Sequence, residues 1–279
     1  MDLAQRGEAF RELHRRRGIF AIPNPWDAGS AIALAQMGFE ALATTSAGLA
    51  YTLGRPDGHN AVSRDETLAN AAAIAAATPL PVSADLENGF GDSPDACALT
   101  IRSAGATGIV GGSIEDATGR ADEPIYALDA AIARVRAAVA AARALPFAFT
   151  LTARAENFLH GRADLDDTIR RLVAFAEAGA DVLFAPGLRS RDDIAAVVRA
   201  VAPRPVNVIM GLVGAPLGLV ELEALGVKRV SVGSSLARAA FGAFLRAARE
   251  IRERGSFGYA ADAVPYAELN RVFAANAPA

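Results

Sequence analysis

The chain has 279 residues, of which 52% are hydrophobic and 21% are charged, and its formal net charge is −3. This composition supplies a sizeable core and excludes a disordered chain, and so small a net charge gives no field that would attract nucleic acid. Prolines interrupt the longest uncharged stretches and the first 18 residues lack an apolar signal segment, so we expect no membrane span and a cytoplasmic location. The single cysteine, Cys97, cannot form an internal disulfide, and a packed thiol is the expectation for it.

After an N-terminal helical stretch, strand-like apolar runs alternate with helix-like segments eight times. The predicted strand and helix pairs are 19–22 with 28–37, 41–45 with 63–77, 81–85 with 93–104, 108–114 with 126–143, 147–152 with 166–178, 181–185 with 191–200, 205–210 with 216–224, and 229–232 with 235–253. Because a helix follows every strand, the sheet should be parallel, and eight such units close naturally into a (β/α)₈ barrel of the TIM type. A doubly wound sheet is the alternative, but no G-x-G-x-x-G follows the first strand.

We therefore expect one domain over residues 1–279, with residues 235–279 as a C-terminal helical region. A helix is predicted over 265–275. This tail could pack on its own barrel or reach a neighbouring subunit.

Two carboxylates, Asp85 and Glu87, stand two residues apart where the third predicted strand ends. On an extended strand such residues point the same way, which suits a shared hard cation such as Mg²⁺. Taken alone, a solvated strand end explains such a triplet more often than a metal does. The residues at the ends of the other strands decide between the two.

In a barrel, the residues just past each strand share one rim, where chemistry takes place. The candidates there are Trp26, Asp27, Ser46, Ala47, Gly48, Asp57, Asp85, Glu87, Glu115, Asp116, Arg154, Glu156, Asn207 or Met210, and Ser234. Acids from adjacent strands repel one another unless a cation or shared protons intervene. Arg154 suits a substrate carboxylate or phosphonate, or equally an ion network with Glu115 or Glu156.

Several smaller features carry two interpretations each. The segment Ser46–Gly48 could form an anion-binding nest or an ordinary turn, and Gly233-Ser234-Ser235 could bind phosphate or cap a helix. Residues 15–17 are three consecutive arginines, which we expect to form a solvated face of the N-terminal helix. The three histidines, His14, His59 and His160, are expected at the surface, and His160 could approach the rim.

Several segments in order resemble the isocitrate lyase and phosphoenolpyruvate mutase superfamily over most of residues 15–250. The resemblance rests on residues 24–27, 44–57, 85–91, 113–116, 152–156, 179–181, 205–208 and 230–233. It implies a Mg²⁺-dependent barrel, with Mn²⁺ as a possible substitute, that makes or breaks C–C or P–C bonds next to a 2-oxo acid or its enolate. It also implies a homo-oligomer, a dimer or tetramer, in which C-terminal helices swap between neighbours.

The resemblance also implies roles for individual residues. Asp85 would ligate the metal directly, and Asp57, Glu87 and Glu115 would bind it or its waters. The amides of Ser46–Gly48 and Arg154 would hold the substrate carboxylate, so that Arg154, Asp57 and Ser46 are the catalytic candidates. Trp26 and Asn207 complete the predicted substrate site from the rim.

Departures from the family pattern narrow the expected reaction. The loop after strand four, residues 115–123, lacks the Cys and His of isocitrate lyases, and Ala117 stands where phosphonate-forming mutases have Lys. Pro186 replaces a histidine of some relatives, and Glu87 replaces the commoner Asp. We therefore expect decarboxylation of oxaloacetate, or retro-aldol or Claisen cleavage of a malate-like diacid. The alternatives are mutase or hydrolase chemistry on a P–C bond, and a non-catalytic protein that binds 2-oxo acids.

Overall fold

The chain folds into an eight-stranded parallel barrel surrounded by helices. The computed structural model describes residues 1–58, 60–211 and 217–274. The strands are β1 (Phe20–Ile22), β2 (Leu42–Ala43), β3 (Val82–Asp85), β4 (Gly111–Glu115), β5 (Thr150–Arg154), β6 (Val182–Phe184), β7 (Val206–Ile209) and β8 (Arg229–Ser231). Neighbouring strands pair in parallel from β2 through β8, and β8 pairs with β1. The predicted (β/α)₈ barrel is confirmed.

The remaining seam, between β1 and β2, is bridged by a few bonds. The Ala43 N–H donates to the Pro23 carbonyl at 3.1 Å. Asn24 reaches across the same seam: its Nδ2 donates to the Thr44 carbonyl, and its Oδ1 accepts from the amides of Val232 and Gly233, each at 2.9 Å. Asn24 therefore ties the ends of β1, β2 and β8 together at the rim.

The helices follow the predicted alternation. They are α1 (Leu3–Arg15), α2 (Ala28–Gln36), α3 (Ser46–Thr52), α4 (Arg64–Ala76), α5 (Pro94–Gly105), α6 (Leu128–Arg143), α7 (Leu165–Glu177), α8 (Arg191–Val201), α9 (Leu219–Ala224), α10 (Ser235–Arg254) and α11 (Tyr266–Ala274), with 3-10 helices at Asn157–His160 and Gly258–Asp262. Side-chain caps define several starts, for example Asp27 with Ser30 and Ser63 with Glu66.

Two predictions about helices need correction. Residues Ser46–Gly48 form neither a nest nor a turn, because they are the first turn of α3, which Thr45 caps through its hydroxyl. The helix predicted over 216–224 is α9, which begins at Leu219. Residue 216 lies outside the described residues.

The C-terminal region runs back along the barrel. In α11, the Val272 carbonyl accepts a hydrogen bond from Gln36 of α2, and the Phe273 ring lies 3.9 Å from the position of a Cβ built on Gly29. In this single chain α11 packs on α2, and exchange of the C-terminal helices between subunits stays a prediction. Along α10, Phe241, Phe244, Leu245 and Ile251 remain exposed. Among the described residues, no helix is both long and apolar enough to cross a membrane.

Candidate active site

Asp85 ends β3 and lies at the centre of the rim. Its backbone amide donates to the Thr44 hydroxyl at 2.9 Å, which fixes the strand end beside β2. One carboxylate oxygen accepts from the Ser46 amide at 3.3 Å, and the other accepts from the Glu87 amide at 3.2 Å. The Asp85 carboxylate is therefore held by backbone donors from both sides.

The turn after β3 carries Glu87 into the cavity. Glu87 has a φ of +46°, and Gly89 and Phe90 follow at +82° and +57°. A non-glycine residue in this left-handed region is strained and often marks a functional site. This turn places Glu87 on the wall of a surface crevice that Glu115 also borders.

Arg154, at the end of β5, contacts three carboxylates. Its Nη1 lies 3.1 Å from Asp85, its Nη2 lies 3.2 Å from Glu115, and its Nε lies 2.8 Å from Glu156. The side chain is 13% exposed, so these ion pairs are little screened by water. The ion network predicted for Arg154 is thus present. A guanidinium has five N–H groups, and these contacts use at most three of them.

The acids of the site outnumber its cation. Burial, together with the negative charges of Asp85 and Asp57, raises the pKa of Glu87 to about 8. Burial and the neighbouring Glu156 raise the pKa of Glu115 well above its ordinary value, although Arg154 opposes the shift. Burial and Asp85 raise the pKa of Asp57 as well. Raised pKa values in several adjacent acids are the condition that a bound divalent cation relieves.

Two connected cavities open above and inside the barrel. The outer crevice has a volume of about 480 Å³, and the inner chamber has a volume of about 200 Å³. Ser46, Asp57, Arg154 and Leu159 border both, so the two spaces meet at the carboxylate cluster. A small acid that enters the crevice reaches Arg154 directly.

Most of the predicted site residues converge on these cavities. The crevice is bordered by Ser46, Asp57, Glu87, Glu115, Arg154 and Glu156, and the chamber by Ala47, Asp85, Asn207 and Ser234. Trp26 and Gly48 border neither space, because they pack on each other: a Cβ built on Gly48 would lie 2.8 Å from the Trp26 Cβ. Met210 is buried in the core. Asp27 caps α2.

The donor set suits a hard cation that keeps part of its water. Within the described residues, no three His, Cys, Asp or Glu side chains form a ready-made metal cluster. Mg²⁺ does not require one, since it binds through one or two carboxylates, several waters and substrate oxygens. Asp85, which borders the inner chamber and contacts Arg154 where the two cavities meet, and Glu87 and Glu115 on the crevice wall offer such carboxylates.

The sequence interpretation missed three buried arginines. Arg229, in the chamber, donates to Asn207 at 2.8 Å and to Thr152 at 3.0 Å, and its pKa falls to about 9 because it is buried. Arg171 pairs with Asp116 at 3.1 Å below the rim. The sequence signal for Arg229 and Arg171 is weak, because their partners Thr152 and Asp116 lie far away in sequence.

The third, Arg134, stands on the inward face of α6 and holds the loop after β3. It donates to the carbonyls of Asn88, Gly91 and Asp92, and its guanidinium lies 4.1 Å from the centre of the Tyr126 ring. An arginine among the buried small and aliphatic residues of α6 is the sequence signal that could have identified it. Arg134 therefore joins the loops after β3 and β4.

The histidines and the cysteine have distinct environments. His14 was predicted to be solvated, and this is wrong: its ring packs edge-on against Phe10 and Phe20 and contacts Arg229, and burial lowers its pKa to about 3. His160 borders the outer crevice, as one prediction allowed. His59 lies outside the described residues. Cys97 is a packed, fully buried thiol, and the arginines at 15–17 are exposed as expected.

Ser234 precedes α10, but its side chain makes no capping hydrogen bond. It borders the inner chamber instead. Phosphate binding at this point stays a prediction.

Comparisons with known proteins identify the family of the chain. The family model described as phosphoenolpyruvate phosphomutase matches residues 10–252. A crystal structure of a candidate lyase/mutase from Burkholderia cenocepacia J2315 is 64% identical, with a TM-score of 0.95, and covers 98% of this chain and 97% of that one. The protein named "Probable 2-methylisocitrate lyase 1" of Corynebacterium glutamicum is 28% identical and covers 92% of this chain and 85% of that one.

A structure of oxaloacetate acetylhydrolase in complex with its product oxalate is 28% identical, with a TM-score of 0.87, over 97% of this chain and 94% of that one. The resemblance seen in the sequence is therefore confirmed. The chain belongs to the phosphoenolpyruvate mutase family, within the isocitrate lyase/phosphoenolpyruvate mutase superfamily.

Proposed function

We propose that this protein is a Mg²⁺-dependent lyase that cleaves a C–C bond next to the 2-oxo group of a small diacid, with oxaloacetate decarboxylation as its reaction. The observation that carries the proposal is the excess of buried acids around one arginine at the junction of two cavities. A cation bound there would balance the acids and present an oxo acid to Arg154. Mn²⁺ is the expected substitute.

The residues of the chain divide the work. Asp85 would bind the metal directly, and Glu87, Glu115 and Asp57 would hold it or its waters. A bound Mg²⁺ supplies Lewis-acid stabilisation of negative charge at the 2-oxo oxygen. The free N–H groups of Arg154 would hold the substrate carboxylate and keep it beside the cluster.

The start of α3 would complete the carboxylate site. The Ser46 amide already donates to Asp85, the Ser46 side chain hydrogen-bonds Asp57, and the Gly48 amide donates to Thr45, so the Ala47 amide is the group left to a ligand. Asn207 lies deeper in the chamber, where it donates to Ser231 and accepts from Arg229. We assign Asn207 the role of ordering the chamber floor beneath the substrate.

Relatives support the reaction class. One acts on oxaloacetate and yields oxalate, and another bears the name of a 2-methylisocitrate lyase. Among the described residues no cysteine borders the crevice, and the loop after β4, in which Ala117 and Ile125 form an antiparallel bridge, contains neither Cys nor His. Decarboxylation requires fewer catalytic side chains from that loop than isocitrate cleavage does.

The test is a panel of 2-oxo and malate-like diacids with purified protein and Mg²⁺, with the metal-only rate subtracted. Oxaloacetate should yield pyruvate at a rate proportional to enzyme. Turnover of a malate-like diacid alone would move the assignment to retro-aldol or Claisen cleavage. Oxalate binding without any turnover would identify a binding protein and contradict the enzyme assignment.

A second candidate is phosphonate chemistry, because the matching family model is that of a phosphomutase. A phosphonate would engage Arg154 as a carboxylate does. Phosphorus NMR with phosphonopyruvate decides between the two: conversion to phosphoenolpyruvate or release of phosphate would favour this candidate over decarboxylation.

We also propose that the protein is a homo-oligomer, a dimer or tetramer. Its support is the apolar face of α10, where Phe244 is 63% exposed and Phe241, Leu245 and Ile251 are also exposed. Exchange of C-terminal helices between subunits would cover that face. Light scattering of wild type and Phe244→Glu measures the mass, and a monomeric wild type would refute the proposal.

A further inference from the structure

A lyase that forms an enolate must return a proton to carbon, and the residues assigned above include no proton donor. The charged side chains that border the crevice are Asp57, Glu87, Glu115, Glu156, Arg120 and Arg154. The four acids are assigned to the metal or contact Arg154, and an arginine remains charged at any ordinary pH. The remaining titratable group on the crevice wall, within the described residues, is His160.

His160 reaches the crevice through a short structural path from the site. The 3-10 helix Asn157–His160 starts three residues after Arg154, and the His160 amide donates back to the Glu156 carbonyl at 3.3 Å. Gly161, with a φ of +71°, ends the helix. The neighbouring Leu159 borders both cavities. This helix therefore lies over the junction where the substrate would bind.

The His160 ring is available to a ligand. Within the described residues, no protein atom accepts a hydrogen bond from it or donates one to it. His14 provides the contrast, since its ring contacts the Phe10 carbonyl at 2.8 Å and Arg229 at 3.3 Å and is buried away from the crevice. An imidazole free at the wall of a cavity is suited to proton transfer near neutral pH.

We propose that His160 is the general acid that protonates the enolate, an inference that rests on the proposed lyase function. The protonated imidazole gives its N–H proton to the enolate carbon. The C=C electron pair forms the new C–H bond, and the enolate oxygen becomes the 2-oxo group. The imidazole is left neutral and regains a proton from water.

The experiment follows the reverse step, the exchange of pyruvate methyl protons for deuterium in D₂O, by proton NMR with Mg²⁺ present. Wild type should catalyse this exchange. His160→Gln should slow it by about 10²- to 10⁴-fold, the usual contribution of a general acid or base, with oxalate affinity unchanged. Added imidazole should restore exchange to His160→Ala. Arg162→Gln, at an exposed position two residues away that borders neither cavity, is the matched control and should behave as wild type.

The outcomes separate this inference from the function beneath it. Exchange by His160→Gln at the wild-type rate, in a protein that decarboxylates oxaloacetate, contradicts the inference alone. A second set of results would also contradict the inference: slow exchange by His160→Gln, loss of its oxalate binding, and no rescue of His160→Ala by imidazole. The ring would then have a structural role. A wild type that neither decarboxylates nor exchanges overturns the lyase function and this inference with it.

Discussion

Replacement of Arg134 by methionine should destabilise the protein through the loop after β3, which carries Glu87. Arg134 is 1% exposed and donates to three carbonyls of that loop, those of Asn88, Gly91 and Asp92. Methionine fills much of the same space but offers no donor. The three carbonyl oxygens then lose their partner at once.

The magnitude follows from the burial of these acceptors. A buried acceptor left without a donor costs about 1–3 kcal/mol; Asn88 is buried, Gly91 is partly exposed and Asp92 is exposed, so we take the low end for each acceptor, about 3 kcal/mol in all. In a domain of this size, each kcal/mol lowers Tm by about 2–4 °C, which gives a fall of about 6–12 °C. Calorimetry measures Tm, and hydrogen exchange should show faster opening of residues 86–92.

A matched control lies two positions along the same helix. Arg136 is exposed, so Arg136→Met should change the free energy of unfolding by no more than about 0.5 kcal/mol. If Arg134→Met unfolded within about 1 kcal/mol of wild type, the loop would not depend on this arginine and the reasoning would be refuted.

Further predictions address other parts of the site. The folded-state pKa of Glu87 is about 8, above its ordinary 4.5, so between these pH values the metal-free folded protein retains a proton that the unfolded chain loses. The free energy of unfolding should therefore fall as pH rises from about 4.5 to about 8. Denaturation at several pH values should show this slope, and Glu87→Gln should reduce it. Gly48→Ala should lower stability by about 1–3 kcal/mol, because the added Cβ would lie 2.8 Å from the Trp26 Cβ; an unchanged Tm would contradict this packing. Arg171→Met should lower stability by about 3–5 kcal/mol, since it leaves the buried Asp116 carboxylate without its partner; Arg171→Met with Asp116→Asn should recover part of that loss.

The sequence was sufficient for the barrel because its signals are local. Each strand is a short apolar run, and each helix carries its own start and stop residues, as Ser63 and Glu66 do for α4. The short helix α3 was missed, since Ser46–Thr52 is too brief for a helical period to stand out.

The site was partly predictable for a different reason. The rim residues follow from topology, because all strands end on one side, and this placed Asp85, Glu115 and Arg154 together. The contacts of Arg134 with the loop after β3 join residues more than 40 positions apart, and the contact between Arg229 and Thr152 joins residues 77 positions apart. No periodicity along the chain reports such pairs, so they appear only once the fold is known.

The central claim is that Asp85 holds a metal on which catalysis depends. Its direct test is the rate of pyruvate formation from oxaloacetate by wild type and Asp85→Ala, each titrated with Mg²⁺ after EDTA treatment. Wild type should require the metal, and Asp85→Ala should lose both the activity and its Mg²⁺ dependence while remaining folded. Full activity in Asp85→Ala, or wild-type turnover that EDTA leaves unchanged, would contradict the claim.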